Sequence, residues 1–261
     1  KLEMNQTSNP SIAELRAVTQ PGSITGRSNA EHWVADLYLR RLSPYVTRLL
    51  LKTPITANEV TYLMILTGIS ISCALLISGS KGLLLALLLS QLQMLWDCCD
   101  GEIARWRNTQ SPKGVFLDRL GHYLAEGLIP IALALRIIGW PNKGVSDYKL
   151  LFLAALISLL ILFNKALNDS VHVARAFSGL PKIADAREVG VPQNTLIRIL
   201  RLPFKVLAVQ RLFHSVEMTF VIVIFQGNKS LIDFGLYLAI FVTIGHLVAI
   251  LSSKKLAGEV S

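Results

Sequence analysis

Charge is scarce in this chain of 261 residues: only 16% are Asp, Glu, Lys or Arg, and the acids are the scarcer kind, 17 against 26 basic residues. With 52% hydrophobic residues and a positive mean hydropathy, the balance argues for a membrane protein rather than a water-soluble globule. Cysteine is nearly absent. Cys73, Cys98 and Cys99 fall inside apolar runs, no pair has metal-site spacing, and they read as buried free thiols. The net charge of +9 is not gathered into a basic stripe interleaved with aromatics, so no nucleic acid is expected as a partner. Basic residues stand instead between apolar runs, as on a cytoplasmic membrane face. No internal repeat is present. No cleavable signal peptide is expected either, because the first apolar run begins only after about fifty residues.

What is there reads as helix. Residues 1–30 are polar and rich in Ser, Asn, Gly and Pro, and are expected to be mostly disordered or to lie along the protein, with a short helix over Ser11–Val18. Residues 31–55 place Val34, Tyr38, Leu42, Tyr45 and Leu49 at helical spacing, with Arg40, Arg41 and Arg48 off that stripe. This predicts an interfacial amphipathic helix interrupted near Pro44; a soluble helix packed on a neighbour would carry the same pattern. Six membrane helices are predicted over 56–252. Thr56 and Glu59 form a capping box that opens the run Val60–Ser78, and after a tight turn at Lys81-Gly82 a second helix runs from Leu83 to about Arg107. The others cover Val115–Ile138, a stretch starting near Lys149, Val206–Phe225 and Leu231–Leu251. Residues 176–206 read as a basic loop with short helical pieces, and 253–261 as a tail. The fold class expected is therefore an all-α integral membrane protein, six transmembrane helices preceded by an interfacial amphipathic helix. Only Lys81, Arg136, Lys143, Lys149 and Lys229 fall at one set of loops, which predicts that both termini, and the connection between the second and third helices, are cytoplasmic.

In so apolar a chain, one segment collects acids: Asp97-Cys98-Cys99-Asp100-Gly101-Glu102-Ile103-Ala104-Arg105, then Gly114, Asp118, His122 and Glu126. Asp97 and Asp100 share one helix face, Asp118 and His122 share a face of the next, and the polar connection Arg107–Lys113 would fold the two back antiparallel. Oxygen ligands gathered in this way suit a hard divalent cation, magnesium or manganese, and the ligand set expected is Asp97, Asp100 and Asp118. A charged side chain inside a membrane helix costs about 2.5–3.5 kcal/mol on insertion scales, so the acids need such a partner. Two surface-exposed helix ends are the bland alternative. Small residues at Gly101, Ala104 and Gly114 leave room for a flat base or phosphates to approach the backbone. Arg105 would hold a phosphate, brace an aspartate or simply anchor the helix at the interface.

The spacing resembles the Asp-x2-Asp-Gly-x2-Ala-Arg-x8-Gly-x3-Asp-x3-Asp pattern of the CDP-alcohol phosphotransferases, and matches every fixed position except the last, which is His122 here. Thr56–Thr61 is similar to the segment that begins that family's first membrane helix, with Ala57 in place of proline. The resemblance implies attack of an alcohol hydroxyl on a CDP-alcohol with release of CMP, one or two Mg2+ or Mn2+ ions, a cytidine pocket lined by Gly101, Ala104 and Gly114, and a homodimer. In the family the last aspartate is the proposed base. His122 would then be the catalytic base, for which an unperturbed imidazole pKa of about 6.5 is apt, or a further metal ligand that shifts preference to softer ions. Glu126, one turn on, would supply the missing carboxylate or orient the imidazole.

The acceptor side is drawn less sharply. Lys165, Asp169 and Arg175, with Arg211, His214 and Glu217, place polar groups where lipid would not tolerate them. They would either receive a lipid or soluble alcohol acceptor carrying a phosphate, or brace helices as ion pairs. Two other functions stay open: an ion-coupled transporter whose acidic cluster is an ion site, and a catalytically silent relative that binds nucleotide or lipid. Metal-dependent CMP release separates the enzyme from both.

Overall fold

The computed structural model describes residues 9–21, 38–141, 147–180, 209–252 and 256. Among these residues the architecture is helical, without strands: α1 (Ile12–Thr19), α2 (Arg40–Leu50), α3 (Ala57–Leu75), α4 (Gly79–Trp106), α5 (Pro112–Ile138), α6 (Tyr148–Phe177), a 3-10 turn (Val209–Phe213), α7 (Ser215–Ile224) and α8 (Ser230–Leu251). Five of them, α3, α4, α5, α6 and α8, are long and apolar enough to cross a membrane. Of the basic loop expected over 176–206, residues 176 and 177 end α6 and 181–206 lie outside the described residues, as do Val34 of the expected stripe and most of the first 30 and last nine residues.

α3 is the hub, packed against both α4 and α5; α6 lies on α5 and α8 on α6, while α7 sits between α4 and α5. Small side chains set the closest approach. A Cβ on Gly68 of α3 would come 2.9 Å from Cβ of Ala125 on α5, so the two helices meet backbone to backbone beside the acidic segment. The main apolar cluster, built on Ile71, Leu75, Leu83, Ile129, Leu133 and Ile157, fills the end of the bundle away from that segment. Buried polar pairs hold α7 to α4 within the apolar body: Ser90 and Thr219 share a hydrogen bond of 2.7 Å, and the Ser215 hydroxyl donates to Gln93 Oε1.

Local chemistry fixes the ends. Thr56 and Glu59 close the capping box at the start of α3. Ser111 caps α5 ahead of Pro112, which starts that helix three residues before the apolar pattern suggests. At its other end Gly139 takes the left-handed conformation (φ 86°) of a C-cap.

Three expectations are corrected. The turn before α4 falls at Leu76–Ser78, and Lys81 and Gly82 belong to the first turn of the helix. The reason is closeness: a Cβ at Gly82 would sit 2.1 Å from the Ile77 carbonyl oxygen, so glycine serves the tight return from inside the helix. Pro44 does not interrupt α2 but lies within it. A helical proline leaves the carbonyl four residues back without its N–H; that carbonyl, of Arg40, accepts from Gln20 Nε2 at 2.8 Å. Finally, no continuous helix runs through the described part of 206–225. His214 is extended (φ −80°, ψ 151°) and divides the 3-10 turn from α7, which at 10 residues is too short to span a bilayer alone.

Candidate functional site

The last three turns of α4 carry Asp97 and Asp100, and the second and third turns of α5 carry Asp118 and His122. The five-residue return Arg107–Ser111 joins the two helices, both of which pack on α3. One carboxylate oxygen each of Asp97 and Asp118 and a ring nitrogen of His122 lie within 4.8 Å of one another. His122 Nε2 is 3.1 Å from Asp97 Oδ1 and 3.7 Å from Asp118 Oδ1. On its other side, His122 Nδ1 is 3.2 Å from Glu126 Oε1.

Glu126 is the buried node of the site. Oε1 also meets His214 Nδ1 at 3.2 Å, and Oε2 meets Lys165 Nζ at 2.8 Å. An ionised carboxylate only accepts, so each short contact calls for a ring N–H, Nδ1–H towards Glu126 Oε1 and Nε2–H towards Asp97 Oδ1, and a neutral ring can supply only one of them. Side-chain exposure grades from 1% at Glu126 through 16% at His122 and 22% at Asp97 to 44% at Asp118. The cluster therefore opens at Asp118 and is sealed behind Glu126.

Asp100 is not in the three-residue group. It is nearly buried, and its Oδ2 accepts from Thr61 Oγ1 of α3 at 2.6 Å. Gly114 faces the start of α3 as well, where an added Cβ would lie 3.4 Å from Asn58 Oδ1. Arg105 Nε donates to the Thr19 carbonyl at 2.7 Å, and its fork lies over Gly101, whose Cβ would come 3.0 Å from Nη1. This contact of Arg105 with α1 is none of the three roles expected of it. Ala104 shares this stretch of α4, half-buried.

The polar residues expected on the acceptor side divide into two groups. Lys165 and His214 converge on Glu126, and Arg211 is buried in the 3-10 turn just before His214. Asp169 instead pairs with Arg119 and accepts from the Tyr123 hydroxyl at 2.6 Å, bracing α6 against α5. Arg175 stands ten residues beyond Lys165 on α6, about 15 Å along the axis, and is not brought to the node. Thr61, Arg119 and Tyr123 were not singled out by the sequence. Thr61 closes the Thr56–Thr61 segment and carried a signal; Arg119 and Tyr123 become visible only when α6 is laid on α5.

A comparison with curated proteins finds no match. A model of the CDP-alcohol phosphatidyltransferase family matches residues 54–244, the whole of α3 to α7 and most of α8, with the acidic cluster inside the match. The chain belongs to the CDP-alcohol phosphatidyltransferase family, whose reaction is the transfer of a phospho-alcohol from a CDP-alcohol.

Proposed function

We propose that this protein transfers a phosphatidyl or head-group phosphoryl unit from a CDP-alcohol to an acceptor hydroxyl in a divalent-metal-dependent reaction that releases CMP. The observation that carries it is the convergence of Asp97, Asp118 and His122 within 4.8 Å, on the two helices that bear the family's motif. The donor set, two carboxylates and an imidazole, fits magnesium or manganese, with the nitrogen favouring the softer of the two. Asp97 and Asp118 would hold the ion, supported by Asp100, which Thr61 sets in place. When bound, such an ion neutralises pyrophosphate charge and polarises the phosphorus under attack.

The remaining work falls to side chains. Ala104, Gly114 and Gly101, the last beneath the Arg105 fork, are assigned to the cytidine. With a cation held by Asp97 and Asp118, His122 would take the proton of the acceptor hydroxyl on Nε2, while Glu126, fully buried, accepts from Nδ1–H and orients the ring. A carboxylate thus stands behind the imidazole, as in serine hydrolases, and replaces by two residues the one aspartate of the family pattern. Lys165 and His214 flank Glu126 on the side assigned to the acceptor, a lipid or soluble alcohol.

The same reading includes six membrane passages, the fifth formed by α7 with the turn before it, an interfacial α2 whose apolar stripe faces lipid, a cytoplasmic active site and termini, and a homodimer. Supporting the place of α2, Tyr38, Leu42, Tyr45 and Leu49 are exposed while Ser43, Pro44 and Thr47 are buried. The deciding experiment is a screen of CDP-diacylglycerol, CDP-choline, CDP-ethanolamine and CDP-inositol against paired acceptors in proteoliposomes, reading CMP. Release that appears with Mg2+ or Mn2+ and stops with a chelator is expected. The silent-relative reading, prompted by His122 in the place of the last aspartate, is favoured if nucleotide binds and no pair yields CMP.

A further inference from the structure

Glu102 occupies a position that the motif leaves unspecified, yet it is fully buried. At 100° per residue it lies about 140° round α4 from Asp97 and about 160° from Asp100, facing away from the acidic cluster. There its carboxylate accepts from three side chains of the two N-terminal helices: Ser43 Oγ at 2.5 Å, Thr47 Oγ1 at 2.6 Å and Gln20 Nε2 at 2.8 Å. Three residues on, Arg105 holds the Thr19 carbonyl at the end of α1, where helix carbonyls lacking N–H partners favour a cation. Leu15, Leu51, Ile103 and Trp106 form one buried apolar cluster between these elements, so a donor lost from fully buried Glu102 would leave its carboxylate desolvated.

An apolar residue at 102 would dock α1 and α2 without the desolvation cost of a carboxylate, and would leave their rotation about α4 unspecified. Hydrogen bonds from three directions specify it. We infer that Glu102 is a positioning residue: through it α1 and α2, which precede the family-matched residues 54–244, hold α4 from behind at the rotation that points Asp97 towards His122 of α5 and Asp100 towards Thr61 of α3. The functional half of this inference rests on the proposed metal site.

The test uses the full chain in lipid nanodiscs, with two measurements: amide hydrogen exchange along α4, and Mn2+ affinity from the paramagnetic signal of the free ion. Ser43→Ala combined with Thr47→Val removes two donors far from the cluster. Exchange is expected to quicken over 97–105 but not over 83–94, and the Mn2+ dissociation constant to rise about tenfold, the lower end of what outer partners of a metal site carry. Thr47→Ser, which keeps the hydroxyl, should match the wild type in both. Unchanged exchange over 97–105 in the folded double variant overturns the inference, and so does faster exchange with unchanged Mn2+ affinity, which would make the contact a dock without positioning. A wild-type protein that binds no Mn2+ sinks the metal site instead, and the exchange contrast then decides on the clamp alone. Should the double variant fail to fold, Glu102→Gln goes through the same two measurements, with a smaller change of the same sign expected and none overturning the inference.

Discussion

The two ends of the helix bundle both carry charge and dispose of it in opposite ways. At the end formed by the α3–α4 turn and the starts of α6 and α8, Arg136 and Lys229 each have local partners of their own. Arg136 donates to the carbonyls of Leu75, Ile77 and Gly79, and Lys229 pairs with Asp147 at 2.7 Å. At the motif end carboxylates crowd together and share partners: Asp97 and Asp118 meet the same imidazole, and Glu126 serves two histidines and a lysine. A fold needing only stability would build both ends like the first. Crowded carboxylates in an apolar chain repel one another unless a cation neutralises them, and the proposed metal site would account for that contrast.

The largest effect should follow from thinning the crowd. Asp118→Asn keeps the size of the side chain and removes one of the two carboxylates facing His122 Nε2, so turnover should fall by about a thousandfold, the scale of losing one pre-organised electrostatic group. The thermal midpoint measured without metal should hold or rise, because the substitution relieves like-charge repulsion. Turnover and unfolding measured on the same preparation decide it. A variant that keeps its turnover removes the distinction between the ends.

Next comes the node behind the cluster. Glu126→Gln leaves Lys165 beside a neutral amide and can present an N–H donor to His122 Nδ1, which disturbs the tautomer that the carboxylate fixes. A loss of about 10- to 100-fold in kcat, with KM for the CDP-alcohol little changed, is expected of a group that orients the base. If KM rises and kcat holds, Glu126 shapes binding rather than the proton transfer, and the node belongs to the acceptor side.

Which parts of this were legible beforehand follows from range. Asp97, Asp100, Gly101, Arg105, Gly114 and Asp118 stand in a fixed local register, and the run of apolar residues with its caps gave α3, α5, α6 and α8 to within a few residues. What escaped depends on partners far along the chain. Pro44 looked like a breaker because the donor that satisfies Arg40's carbonyl is Gln20, on another helix. The break at His214 was hidden in an apolar stretch, since its partner Glu126 lies 88 residues earlier. Asp169 was grouped with Lys165 by proximity in sequence, although one helix turn separates the brace on Arg119 and Tyr123 from the node on Glu126. Glu102 gave no signal at all: within a motif full of acids, one more acid is unremarked until its three donors are in view.

The smallest effect belongs to the quiet end, and the contrast needs it as much as the large one. The hydrogen bond from Lys229 holds the Asp147 carboxyl below the ordinary carboxylate range, and the same bond holds the Lys229 ammonium above its ordinary value. A lowered carboxyl contributes stability that is present above its unfolded value and fades only as pH falls through the folded one. A raised amine contributes stability that is present below its unfolded value and fades only as pH climbs through the folded one. Between those limits neither group changes protonation, so the pair adds no slope anywhere near neutral pH. Asp147→Asn should accordingly leave the pH profile of CMP release superimposable on the wild type, and should lower the thermal midpoint only slightly, since both groups are solvent-exposed and screened. A shifted profile would mean that charge at this end reaches the cluster through the length of the bundle, and the two ends would then have to be treated as one electrostatic unit.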